Sequence, residues 1–237
     1  MKKQILSKNT HHAILTVYLL ALFFSFAIQV LAMLIIDVEA LSSDAQNTFN
    51  AAMNLTAYTL QAVVLLHFFK TYLFKNQWQY FKHHLRFSLY MIMISLYLMF
   101  SVLILTQGLF LVFDIDPISP NQAALEQLIQ SGSFFNVFSL FIVAVVLAPI
   151  VEEMVYRKAI YGLIKNATKP VFAVLGSAFV FAFVHVLIDL SNFVYIVPYF
   201  ALGLVLSFIY YYSGRLIFIP IFAHALMNLY TFILLIL

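Results

Sequence analysis

Residues 134–164 read FFNVFSLFIVAVVLAPIVEEMVYRKAIYGLI. Seventeen positions from Phe134 to Ile150 carry no charge, and then Glu152, Glu153, Arg157 and Lys158 arrive within one short stretch before the apolar run resumes. Its apolar character on both sides of the charges predicts one helix that continues past them, bent near Pro149, which cannot donate a backbone hydrogen bond. The stretch exceeds the roughly 20 residues a helix needs to cross a bilayer. A charged side chain inside such a span costs about 2.5–3.5 kcal/mol on insertion scales. The cluster therefore calls for partners and a purpose.

The rest of the chain has the same character. Of 237 residues, 65% are hydrophobic and 9% charged, where a soluble domain would carry about a quarter. Mean hydropathy is +1.02. So little polar surface cannot cover a water-facing globule, and lipid must serve as solvent for much of the chain. There is no cysteine, which removes disulfides, thiolate metal sites and cysteine nucleophiles. No basic stripe of the kind that binds nucleic acid is present.

Seven apolar stretches can span, near Ala13–Ile36, Ala51–Phe74, Phe87–Phe113, Phe134–Ile164, Val171–Ile188, Phe193–Tyr212 and Leu216–Leu237. The expected fold is all-α, a polytopic bundle of about seven transmembrane helices. The first stretch is too long for a signal-peptide core and reads as a retained anchor. With seven spans, every Lys and Arg falls on one side: Lys2, Lys3 and Lys8; Lys70, Lys75, Lys82 and Arg86; Arg157, Lys158, Lys165 and Lys169; Arg215. Asp37, Glu39, Asp44, Asp114, Asp116, Glu126 and Asp189 fall on the other. The positive-inside rule then places the N-terminus in the cytoplasm and the C-terminus outside. Ser119-Pro120-Asn121-Gln122 has the form of a capping box and predicts a short interfacial helix on the outer surface.

Polar groups gather in the C-terminal half. Glu152, Glu153 and Arg157 lie in the fourth span, His185 in the fifth, and His224 and Asn228 in the seventh. Glu153 and Arg157 are one turn apart and can pair, while Glu152 projects about 100° away toward another face. At ~1.5 Å per residue, Glu152 lies ~20 Å from Lys165, His185 ~24 Å from Lys169, and His224 and Asn228 ~14 and ~20 Å from Arg215. These depths overlap and suggest one buried site opening toward the cytoplasm. Ala173, Ser177, Ala178 and Ala182, with Gly203 and Ser207, offer small surfaces for close helix contact. His11, His12, His67, His83 and His84 read as interfacial, Trp78 and Tyr80 as interfacial anchors, and Asp189 as an outer-loop residue one turn beyond His185.

Glu152-Glu153-Met154-Val155-Tyr156-Arg157, Phe181-Ala182-Phe183-Val184-His185 and His224-Ala225-Leu226-Met227-Asn228 resemble the EExxxR, FxxxH and HxxxN motifs of the CPBP family, which comprises CAAX proteases and bacteriocin-processing enzymes and is also called Abi. Phe200-Ala201-Leu202-Gly203 resembles that family's minor aromatic-glycine motif. The resemblance covers residues 134–237, which it marks as a four-helix catalytic core; residues 1–133 form N-terminal spans and the outer helix, within one membrane domain.

The resemblance implies an intramembrane endopeptidase acting on a hydrophobic or membrane-associated peptide: a leader peptide, a peptide precursor or a CAAX-like tail. It implies Glu152 as general base, His185 as the residue orienting water, Glu153 and Arg157 as a supporting pair, and His224 and Asn228 as oxyanion or metal groups. Whether zinc is held by Glu152, His185 and His224, or the enzyme is glutamate-dependent without metal, stays open at this point. The short loops point to a bacterial plasma membrane. A non-catalytic membrane partner, in bacteriocin self-immunity or sensor-kinase regulation, is the competing reading. A proton-relay transporter is disfavoured by the lack of inverted repeats.

Overall fold

The computed structural model describes residues 8–130, 132–187 and 190–237. Lys2, Lys3, Ile188 and Asp189 lie outside them. Among the described residues every regular element is helical, as lipid demands of a chain whose backbone groups must bond within their own segment.

Helix α1 covers Lys8–Ile35 and α2 covers Ser43–Lys70, capped by Ser42, whose side chain accepts from the Ala45 amide. Helix α2 runs on into a wider π-helical turn at Thr71–Trp78. Helix α3 spans Leu85–Val112 and α4 Pro120–Gln130. Helix α5 is the long fourth span, Phe134–Ala167, followed by α6, Pro170–Val186, α7, Ile196–Tyr212, and α8, Phe218–Ile236.

Among the described residues six helices are long and apolar enough to cross a membrane. The remaining expected span forms as α6, whose 17 residues rise about 25 Å. The seven-span reading thus matches seven helices, one of them short.

Helix α5 is the hub. It packs against α1, α2, α6 and α8, and its apolar window is 44% buried against 11% for α1. Helix α1 instead turns Phe23, Phe24, Leu31 and Leu34 outward and buries a stripe of His11, Ile14, Ala21 and Ser25, spaced as one helix face requires. His11 is therefore a packed residue and not an interfacial one: Gly162 of α5 lacks the Cβ that would collide with its ring. Trp78 differs in the same way. It stacks on Phe81 at 5.3 Å and meets Phe218 at 5.1 Å, packing inside the protein as well as near its edge.

Helix α5 departs from α geometry twice, as π-helical turns at Ile142–Leu147 and Met154–Ile160. The break expected at Pro149 takes this form. In the first turn the Ala148 amide bonds to Val143 O, five residues back. The next bond in that register would run from residue 149 to Ala144, and Pro149 has no N–H to give.

Helices α6 and α7 form the most extensive helix pair. A Cβ on Gly203 would stand 3.1 Å from the Ala178 carbonyl oxygen, so the small residues do allow backbone approach there. Ser207 Oγ donates to Ser177 Oγ at 3.4 Å, and Ser177 Oγ to the Tyr156 carbonyl at 2.8 Å. This chain of hydroxyls ties α7 and α6 to the second π-helical turn of α5.

A turn with Gly214 at φ +74° reverses the chain into α8, whose start is held by Gln77: its Oε1 accepts from the Ile217 amide at 3.0 Å. Helix α4 begins as expected, with the Gln122 amide donating to Ser119 Oγ. The reciprocal half of the capping box is replaced, because the Gln122 side chain donates to Glu126 Oε1.

Candidate active site

Glu153 is fully buried where α5 meets α8. Its Oε2 lies 2.9 Å from Arg157 Nε in an ion pair with no solvent exposure on either side. Its Oε1 accepts from His224 Nδ1 at 3.0 Å. One carboxylate thus engages both the guanidinium on its own helix and the imidazole across the interface. The guanidinium lies 4.8 Å from the Phe181 ring centroid, so the Phe of the second motif shields the Arg of the first.

Holding His224 by Nδ1 directs its Nε2 the other way, to within 3.9 Å of Glu152 Oε2. Glu152 keeps 14% of its side chain exposed, which leaves it open to a ligand as Glu153 is not. Its other oxygen, Oε1, accepts from Tyr58 Oη at 3.4 Å. Tyr58 lies on α2, in the half of the chain where no motif was recognised. The signal was present: Asn54, Tyr58 and Gln61 are spaced to share one face of an apolar helix.

His185 Nδ1 bonds to the Phe181 carbonyl at 2.7 Å, and its ring stacks on Tyr199 at 4.5 Å. With Nδ1 as donor, Nε2 is the ring nitrogen that remains for other partners. Tyr199 also meets Ser119 Oγ at 3.1 Å, so the segment before α4 reaches the site through this stack.

Asn228 lines the same space, and its Nδ2 donates to Ala144 O at 2.8 Å. That is the carbonyl Pro149 leaves without a backbone donor. Asn228 therefore satisfies an orphaned acceptor of α5 as well as sharing the site.

Glu152, His185, His224 and Asn228 all line one cavity of about 570 Å³, a size usual for ligand sites. Glu153 and Arg157 stand behind it. The cavity runs from Glu152 past Gln107 and Phe110 of α3 to Pro117, Ser119 and Gln122, the end of the bundle with Asp114, Asp116 and α4. The lining therefore extends toward the acidic end, whereas the expected opening was toward the cytoplasm. A depth of ~20 Å from Lys165 is already beyond the middle of a ~30 Å hydrocarbon core, which places Glu152 nearer the acidic side. On the basic side, Lys158 is buried with its ammonium 4.4 Å from the Tyr72 ring centroid and 5.7 Å from that of Tyr210, and no residue of this trio lines the cavity.

The donor set bears on zinc. Among the described residues no group of three or more His, Asp or Glu side chains is arranged to hold a metal ion. Glu152 and His224 offer two donors, and His185, fixed by Phe181 and Tyr199, does not complete the set.

Residues 134–230 match the family model described as type II CAAX prenyl endopeptidase Rce1-like. The chain is 33% identical over 139 residues to the putative membrane peptidase YdiL of Bacillus subtilis (strain 168), covering 56% of this chain and 52% of that protein. It is 31% identical over 142 residues to the membrane-embedded CAAX protease MroQ of Staphylococcus aureus (strain USA300), covering 57% of this chain and 51% of that protein. The aligned part thus spans about half the length of these curated relatives. No solved structure matches the chain. The matched segment, residues 134–230, carries all three motifs and the helices that bring them together, and in it the chain is similar to the Rce1-like type II CAAX prenyl endopeptidases.

Proposed function

We propose that this protein is an intramembrane endopeptidase that hydrolyses a hydrophobic or membrane-associated peptide with water activated by Glu152. The observation that carries the reading is the gap between Glu152 Oε2 and His224 Nε2, 3.9 Å wide. With Nδ1–H donated to Glu153, a neutral His224 presents Nε2 as an acceptor. Two acceptors that cannot bond each other are matched by a molecule with two protons to donate. Water fits, and its remaining lone pairs then face the cavity.

Glu152 takes the proton as the water attacks the scissile carbonyl. Tyr58 orients that carboxylate from α2, while Glu153 and Arg157 hold the His224 ring in one tautomer. His185, anchored through Nδ1, turns Nε2 to the cavity and, when protonated, donates to the oxyanion and then to the leaving amine. The similarity to a putative membrane peptidase and to a membrane-embedded CAAX protease supports the same class of reaction.

The test is Glu152→Gln, which keeps shape and removes the base. Comparative peptidomics of membranes from wild-type and variant cells should show peptides lost in the variant, and the purified variant should cleave such a peptide at least ~100-fold more slowly. Full cleavage by the variant would sink the proposal. With only two donors in place, activity is expected to survive chelation; loss that zinc restores would move water activation to a metal.

A further inference from the structure

We infer that the cavity receives an uncharged, extended stretch of peptide from the end that carries α4, and that cleavage falls at an internal bond, away from a free C-terminal carboxylate. This deepens the endopeptidase reading and rests on it.

The first observation is the charge of the lining. Among the described residues no Lys or Arg borders the cavity, and the one carboxylate that does is Glu152. The nearest cation of the motif, Arg157, is fully buried behind Glu153 and already paired with it. A substrate carboxylate placed a few residues from the scissile bond would meet no cation and one anion, in surroundings where water screens little. The approach adds to this, since Asp114, Asp116 and Glu126 belong to the segment that frames this end.

The second observation concerns what does line it. Five carboxamides, Asn54, Gln61, Gln107, Gln122 and Asn228, are distributed along the cavity from four different helices. Each carries a donor pair and an acceptor, the complement of the alternating C=O and N–H groups of an extended backbone. Asn228 and Gln122, which each give one donor to Ala144 and Glu126, keep a second N–H and the carbonyl oxygen. Gln61 is the most telling, because it is only 5% exposed on a membrane helix and still borders the cavity. An acyl chain would gain nothing from these amides, whereas a peptide backbone entering lipid needs them.

The experiment uses the full chain in liposomes and three hydrophobic peptides of one sequence. One ends in a free acid a few residues beyond the cut, one is amidated at the same place, and one continues well past it. We expect the amidated and extended peptides to be cleaved with at least about tenfold higher kcat/KM than the free acid. In the Glu152→Asp variant, which keeps the charge, the ranking should persist in whatever activity remains.

Binding is read separately by fluorescence anisotropy on His185→Gln, which retains the Glu152 carboxylate. There the amide should bind more tightly than the acid, and adding Gln61→Leu should weaken the amide severalfold without lowering the melting temperature. Equal handling of acid and amide, or unchanged binding on Gln61→Leu, would overturn the inference while wild-type cleavage leaves the peptidase reading intact. Binding in the expected order without any cleavage by wild-type protein would sink the peptidase reading and keep the recognition. Absence of both overturns both.

Discussion

The Asn228 side chain of α8 donates to the Ala144 carbonyl of α5 at 2.8 Å, one π-helical register bond upstream of Pro149. A proline has removed a backbone donor, and an asparagine from another helix supplies one. Asn228→Leu should therefore destabilise the bundle by about 0.6–2 kcal/mol, the span found for interhelical hydrogen bonds in membranes. Pro149→Ala returns an N–H to α5, so the double variant should lose less than the sum of the singles. A coupling of at least ~0.5 kcal/mol in an unfolding titration checks this; strict additivity would reject it.

Glu153 and Arg157 form a different kind of pair. Both are sealed from solvent, and removing one leaves the other charge uncompensated. Glu153→Gln should cost about 3–5 kcal/mol, read as a lower thermal transition in detergent. Glu153→Gln combined with Arg157→Met should be milder than Glu153→Gln alone, because no bare charge remains. A double variant weaker than the single would show that the pair contributes something other than mutual neutralisation.

Tyr58 offers a cleaner separation of chemistry from stability. Its hydroxyl reaches Glu152 Oε1 at 3.4 Å, and Tyr58→Phe keeps the ring packed. We expect kcat to fall about five- to tenfold, in keeping with a weak hydrogen bond to a charged group, with KM and melting temperature unchanged. A rise in KM alone would make Tyr58 a substrate contact.

Orientation can be read directly, since the native chain has no cysteine. Asp37→Cys, between α1 and α2, should react with a membrane-impermeant maleimide on intact cells, and Lys75→Cys only after permeabilisation. The reverse pattern would invert the topology and turn the mouth of the cavity toward the cytoplasm.

Much of this was legible in advance. The spans emerge from hydropathy because a bilayer leaves few options, and the three motifs predict a common site because their spacing and depth agree. Tyr58 escaped because a tyrosine in a membrane helix is ordinarily unremarkable, and its meaning depends on which side of α5 the helix α2 packs. The π-helical turns escaped for a related reason: hydropathy carries no record of whether a carbonyl pairs four or five residues ahead. Pro149 announced a defect in α5 without revealing that Asn228 would repair it. The depth of Glu152 is legible in the spacing, because ~20 Å from Lys165 already passes the half-thickness of the hydrocarbon core.

The turn at Met154–Ile160 has one further consequence. A π-helical turn is a helix with one residue to spare, so a single deletion there can be absorbed without shortening the span by much. The halves on either side would then keep their register, whereas a deletion in an α-helical part of α5 would rotate everything beyond it by about 100° and swing the lower half away from the Ser177 hydroxyl that meets Tyr156. Insertion-deletion scanning along α5 should consequently find single deletions tolerated within this turn, with both halves still aimed at their partners, and disruptive in the α-helical stretches beside it.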